Sequence, residues 1–138
     1  LPSGREILVT DTVGFISDLP KELVNAFRAT LEELGASSLL LHVADASDPM
    51  VEERIESVQK ILENTGYGGI KELIVLNKED RALKDEGRRL SKIFKAPLIS
   101  ARDKKTLSLV TDLIENEIFP DLEVSAAGSD LELSLTTA

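Results

Sequence analysis

Four short apolar runs recur along the chain, each close to continuous and each ending in or just before a polar residue. They are "EILVTD" at 6–11, "SLLLHVAD" at 38–45, "ELIVLN" at 72–77 and "APLIS" at 96–100. A strand with one wet face alternates apolar and polar residues. A run that does not alternate fits a parallel strand covered on both faces. Parallel neighbours need long crossovers, and the segments between these runs carry helical spacing.

Leu23, Phe27, Leu31 and Leu34 fall at steps of three and four, between Pro20 and Gly35. Pro at the start and Gly past the end are the usual bounds of a helix. Val51, Ile55, Val58 and Leu62 repeat the spacing, with Asp48 expected as N-cap and Glu52 and Glu53 suited to the positive end of the helix dipole. A helix is expected over about 83–94 despite Gly87, and another through Leu107, Val110, Ile114 and Ile118, stopped at Pro120. Strand and helix therefore alternate four times. Right-handed crossovers make this an α/β fold, a three-layer doubly wound and mainly parallel sheet. Residues 1–120 form that domain. Residues 121–138, "DLEVSAAGSDLELSLTTA", are expected to be an acidic linker or tail, in which "LELSL" alternates in the manner of an edge strand.

The totals narrow the function. Hydrophobic residues make up 42% of 138, enough for a core, but aromatics are only 4%, so the core is aliphatic. There is no Cys, which excludes disulfides and thiolate metal sites and suits a reducing compartment. No run is long enough to span a bilayer, and the N-terminal residues lack the layout of a secretion signal. A formal charge of −9 argues against broad binding to nucleic acid, though not against a local basic patch.

Ligands of such sheets bind beyond the carboxyl ends of the strands. That rule singles out Asp11, Asp45, Asn77 and Ser100. "NKED" places Asn77, Lys78 and Asp80 just past a strand. A carboxylate there can accept from the ring N–H and the exocyclic amine of guanine together, which adenine cannot match. The Asn amide can bridge base and loops, and the Lys stem can lie along the purine. A polar loop after a strand is the plainer reading of the same residues. "DTVG" places Asp11 where it can hold Mg²⁺ through water, and Gly14 where a backbone N–H can approach a terminal phosphate. Alone that spacing is common. Ser100 and Ala101 follow the last strand, where the Ala101 N–H can reach a base carbonyl. Together, at successive strand ends and in this order, the three patterns are those of a GTP-binding domain.

The run "DTVGFI", then "LPKELVNAFRATLEEL", then "LLLHVADASDP" resembles the HflX family of translational GTPases over about residues 1–120. The resemblance implies a P-loop-NTPase-like domain in a cytoplasmic protein that hydrolyses GTP with Mg²⁺ and binds the large ribosomal subunit, some members splitting stalled ribosomes. It implies that Asp11 and Gly14 form the Mg²⁺ and γ-phosphate switch with Thr12, Val13 and Phe15. Asn77, Lys78 and Asp80 then read guanine, and Ser100 and Ala101 complete the base pocket.

The sequence departs from that pattern in one respect. No Gly is followed by Lys, so G-x-x-x-x-G-K-[ST] is absent, and truncation is the expected reason. In the intact domain the strand before that loop lies between the strands at 6–11 and 38–45. Its loss is expected to make those two strands pair directly, or to leave edges on which copies of the chain associate. Phe15 stands where Ras-like enzymes place a water-orienting Gln, so it packs under the switch or leaves that task to another group. His42 is read as a core or edge residue, Asp45 as a turn residue, and Lys21 and Arg28 as a solvated helix face or an RNA contact. Two functions follow: a segment of a GTPase, inactive on its own, or a degenerate GTPase fold that acts by binding.

Overall fold

The computed structural model describes residues 1–11, 34–120 and 132–137, the last segment as backbone. Its elements are β1 (Leu8–Asp11), β2 (Leu39–Asp45), α1 (Val51–Thr65), β3 (Glu72–Asn77), α2 (Lys84–Phe94), α3 (Lys104–Ile118) and β4 (Glu132–Thr137). The expected helix through Leu23 and Leu31, the switch residues Thr12 to Phe15, and Lys21 and Arg28 lie outside the described residues.

The sheet is parallel throughout, in the order β1-β4-β2-β3. Direct pairing of the strands at 6–11 and 38–45 does not occur. The segment expected as a tail supplies β4, and β4 lies inside the sheet rather than at its edge. Ser134 pairs with Thr10 on one side and Leu40 on the other. The physical reason is backbone accounting. A gap between two strands leaves two ladders of unpaired N–H and C=O groups, and one inserted strand satisfies both.

β1 itself was expected to be buried and is not. It bonds only to β4 among the described residues, and Leu8 and Val9 are exposed. The expected strand at 96–100 shrinks to one bridge, Leu76 to Leu98, because Pro97 has no N–H to give. Its backbone still runs beside β3: the Leu76 N–H donates to Pro97 O, and the Ile99 N–H to Leu76 O.

β2 is buried on alternate sides against different helices. Leu39 and Leu41 pack with Ile99 and with Val110 and Ile114 of α3. Leu40 packs with Val58 and Leu62 of α1, and Ala44 with Val51, Ile55 and Leu90. This explains why the run does not alternate. The four buried residues of α1, Val51, Ile55, Val58 and Leu62, are those that its spacing marked. α1 ends at Gly66, whose φ of 88° lets its N–H turn back to Leu62 and Glu63 carbonyls. Its start differs from expectation. Met50 holds the cap position, while Asp48 accepts from the Met50 N–H and pairs with Arg54. Gly87 does not interrupt α2. A Cβ there would stand 2.8 Å from a Leu98 methyl, so the Gly lets α2 approach that segment closely.

Candidate functional site

The parallel register puts Asp45 and Asn77 side by side at the carboxyl ends of β2 and β3. The chain then turns sharply. Lys78 adopts φ 65°, a left-handed conformation uncommon for a residue with a side chain. The turn is held from within, because Asn77 Oδ1 accepts from the Lys78 N–H at 2.8 Å. The same oxygen accepts from the Ala101 N–H at 2.9 Å, which ties the loop after β3 to the loop after Ile99. The Ala101 N–H, expected to meet a base carbonyl, is thus engaged by Asn77. A second tie runs from Ser100 Oγ to Asp80 Oδ1, 2.7 Å. Ser100 is fixed in turn by Thr106, which accepts from its N–H and donates to its carbonyl.

Asp80 is exposed, and its carboxyl is held below the usual range chiefly by the hydrogen bond from Ser100, with Arg102 and Arg81 adding positive charge. A carboxylate has about four acceptor sites, so the bond from Ser100 leaves room for donors of a ligand. Around it lie two adjoining recesses that share Asp80, Ser100 and Arg102. One of about 140 Å³ adds Asn77, Lys78, Arg81 and Ala101. The other, about 320 Å³, adds Glu79, Asp103 and Thr106.

Two contacts were not legible in the sequence. Lys78 Nζ lies 2.6 Å from Asp45 Oδ2. Asp45 Oδ1 accepts from the Ser47 N–H and Oγ. Burial works against the charge of Asp45, but the bonds from Lys78 and Ser47 outweigh it and hold the carboxyl below its ordinary range. Asp45 therefore anchors the loop after β3 as well as its own turn. The other contact is a network beneath β2. His42, fully buried, meets Glu72 Oε1 at 2.7 Å through Nδ1, and Gln59 donates to Glu72 Oε2.

Asp11 is not part of this cluster. It pairs with Leu135, which pairs with Leu41, four residues before Asp45. At about 3.3 Å per residue and about 4.8 Å per strand, Asp11 lies roughly 13 Å back along the sheet and roughly 14 Å across it from Asn77. Gly14, Thr12, Val13 and Phe15 lie outside the described residues. Among the described residues no group of three His, Asp or Glu side chains is placed to hold a metal.

Comparison with known proteins decides the family. The chain is 42% identical over 124 residues, 90% of its length, to the GTPase HflX of Caldanaerobacter subterraneus. The chain belongs to the HflX family. It is 37% identical over 120 residues to the GTPase HflX of Escherichia coli, across 82% of the chain. It is 53% identical over 66 residues to a chloroplastic GTP-binding protein of Arabidopsis thaliana. No family model matches the chain. The segment spans 28% of the length of the first two relatives and 11% of the third. It is therefore a GTPase-family segment with an α/β fold and a parallel sheet. Among the described residues no helix is long and apolar enough to cross a membrane.

Proposed function

We propose that this HflX segment is the guanine-reading part of a ribosome-associated, cytoplasmic GTPase. Its frame is the three-layer, doubly wound, P-loop-NTPase-like sheet. The observation that carries the reading is the pair of ties Asn77–Ala101 and Asp80–Ser100. They converge the two loops on a recess with a carboxylate and an amide at its wall. Asp80 accepts from the ring N–H and exocyclic amine of guanine. Asn77, its oxygen already engaged, turns its NH₂ to the base's acceptors. Lys78 flanks the purine, Ser100 holds Asp80, and the Ala101 N–H shares its proton between Asn77 and the base carbonyl.

Asp11 and Gly14, with Thr12, Val13 and Phe15 between and beside them, serve the phosphate end. Asp11 would hold Mg²⁺ there, and the ion would supply neutralisation of phosphate charge. A single carboxylate suits an ion that keeps most of its waters. The partner implied by the family is the large ribosomal subunit, and the outer edge of β1 is where copies of the chain would pair.

A second reading rests on two observations. The sequence holds no G-x-x-x-x-G-K-[ST], and β4 occupies the position between β1 and β2. In that reading the fold binds partners without hydrolysing nucleotide. Titration with fluorescent GDP and GTP, with and without Mg²⁺ and with ATP as competitor, separates the two. The first expects micromolar, guanine-selective binding that Asp80→Ala abolishes. No binding at hundreds of micromolar would leave only the second.

A further inference from the structure

The chain carries −9, but the charge is unevenly placed. Ten of its sixteen Lys and Arg residues fall between positions 78 and 105, against five acidic residues there and twenty elsewhere. Within that stretch α2 divides them by flank. Arg89 pairs with Glu86 and reaches across to Glu52 of α1, so that flank is neutralised and faces α1. Lys84, Arg88 and Lys92 recur at steps of four, which puts them on one line down the other flank, and Lys95 follows at the left-handed C-cap of the helix. All four are exposed, and none is among the described ion pairs. Arg81, also exposed, stands just before the helix. Asp85 is the one acid near this line.

A solvated helix of a stable acidic domain has no need of this arrangement. Four like charges near one another repel, and Glu86 and Glu52 are taken by Arg89, which leaves Asp85 alone beside them. We infer that this flank of α2 is a docking surface for the phosphate backbone of an RNA duplex. Charge complementarity selects a polyanion, and the ribosomal partner proposed above selects RNA among polyanions. The three helical cations recur about every 6 Å along about 12 Å of helix, with Lys95 just beyond its end, a line of charges that a rod of regularly spaced phosphates can follow. The net acidity of the rest of the molecule restricts the partner further. It repels a broad anionic plane such as a membrane face, but not a narrow rod that touches one flank. Arg81 lines the proposed guanine recess, but the four cations from Lys84 to Lys95 lie outside it, so the surface stands whether or not the chain binds GTP. If the ribosomal reading is correct, α2 is where it meets RNA.

The test is fluorescence anisotropy of a labelled 16-base-pair RNA duplex with the full 138-residue chain, from 50 to 200 mM salt. Wild type should bind at low salt and lose about a hundredfold in affinity across that range, as four released counterions require. The triple variant Lys84→Ala, Arg88→Ala, Lys92→Ala should lose at least tenfold at 50 mM salt and show a shallower salt dependence. Arg88→Lys alone should bind as wild type does. A control triple of equal charge, Lys60→Ala, Lys104→Ala, Lys105→Ala, should keep most of the affinity. Failure of wild type to bind at 50 mM salt would overturn the inference. So would equal losses in both triples, since net charge alone would then explain the binding. Binding to phosphatidylserine vesicles in preference to the duplex would also reject it, and would assign the flank to a membrane.

Discussion

Lys78 Nζ and Asp45 Oδ2 stand 2.6 Å apart and join the loop after β3 to the end of β2. The bond spans 33 residues and fixes the first residue of the tight turn that presents Asp80. Both groups are partly exposed, so the ion pair contributes only about 0.5 kcal/mol. The turn has its own cost, because Lys78 holds φ 65°.

The two effects can be separated at this position. Lys78→Gly removes the ion pair and the backbone strain together, so stability should stay at or slightly above wild type. Lys78→Ala removes the pair and keeps the strain, and should fall below the glycine variant by about 1 kcal/mol. Urea denaturation of both chains checks this. Both variants should weaken GDP binding to a similar degree. An alanine variant as stable as the glycine one would show that the turn relaxes without cost.

Ser100 gives a prediction about binding with little bearing on stability. Ser100→Ala removes the donor that holds Asp80 Oδ1. Guanine nucleotide affinity should fall about fivefold, with ATP still excluded. Because Asp80's carboxyl is held low, the wild-type pocket should stay competent through mildly acid pH and lose affinity only as pH falls through the depressed value. In Ser100→Ala that loss should begin at higher pH. Identical pH profiles for the two chains would show that Ser100 does not set the state of Asp80.

Much of this pocket was legible in the sequence. Asn77, Asp80 and Ser100 were marked by their places just past apolar runs, and the register confirms that Asp45 and Asn77 end together. The apolar spacing of α1 named its four buried residues, and that of α3 named Val110 and Ile114, but Leu107, on the same spacing in the first turn of α3, is exposed. What the sequence did not show depends on distant partners. No local pattern says that Lys78 will meet Asp45, or that Glu72 will meet His42 and Gln59. Residues 132–137 are such a case. Their alternation and small polar neighbours suit an exposed edge, and nothing local reveals that two unpaired ladders elsewhere will draw them into the interior of the sheet. At 96–100 the apolar run was a correct sign of burial, but Pro97 limits the ladder to one bridge.

The His42–Glu72–Gln59 network should be a source of stability and of acid sensitivity. Burial opposes the charge of Glu72, but the hydrogen bonds from His42 and Gln59 overcome it, and its carboxyl is held below the ordinary value. A depressed folded-state value stabilises the fold above the unfolded value, and that contribution is lost as pH falls through the folded one. Stability should therefore decline from about pH 5 downward, and the decline should be shallower in Glu72→Gln. Glu72→Ala leaves His42 buried without its partner and should cost about 2 kcal/mol at neutral pH. The double variant Glu72→Ala, His42→Leu should recover part of that loss. Additive losses in the double-mutant cycle would deny that the two residues are coupled.

The last prediction concerns β4, through which β1 joins the sheet among the described residues. Ser134 pairs with Thr10 and Leu40, so a Pro there removes a ladder donor in the interior of the sheet. Ser134→Pro should expel β4 and detach β1, while β2, β3 and the helices keep their shared core. Amide hydrogen exchange reads this locally. Protection at Leu8 to Asp11 should collapse in the variant, and protection at Leu73 to Leu76 should change little. Retained protection at β1 would mean that β1 finds another partner, such as β2 directly or a second copy of the chain. Sedimentation at two concentrations would then tell these apart, because only pairing between copies depends on concentration.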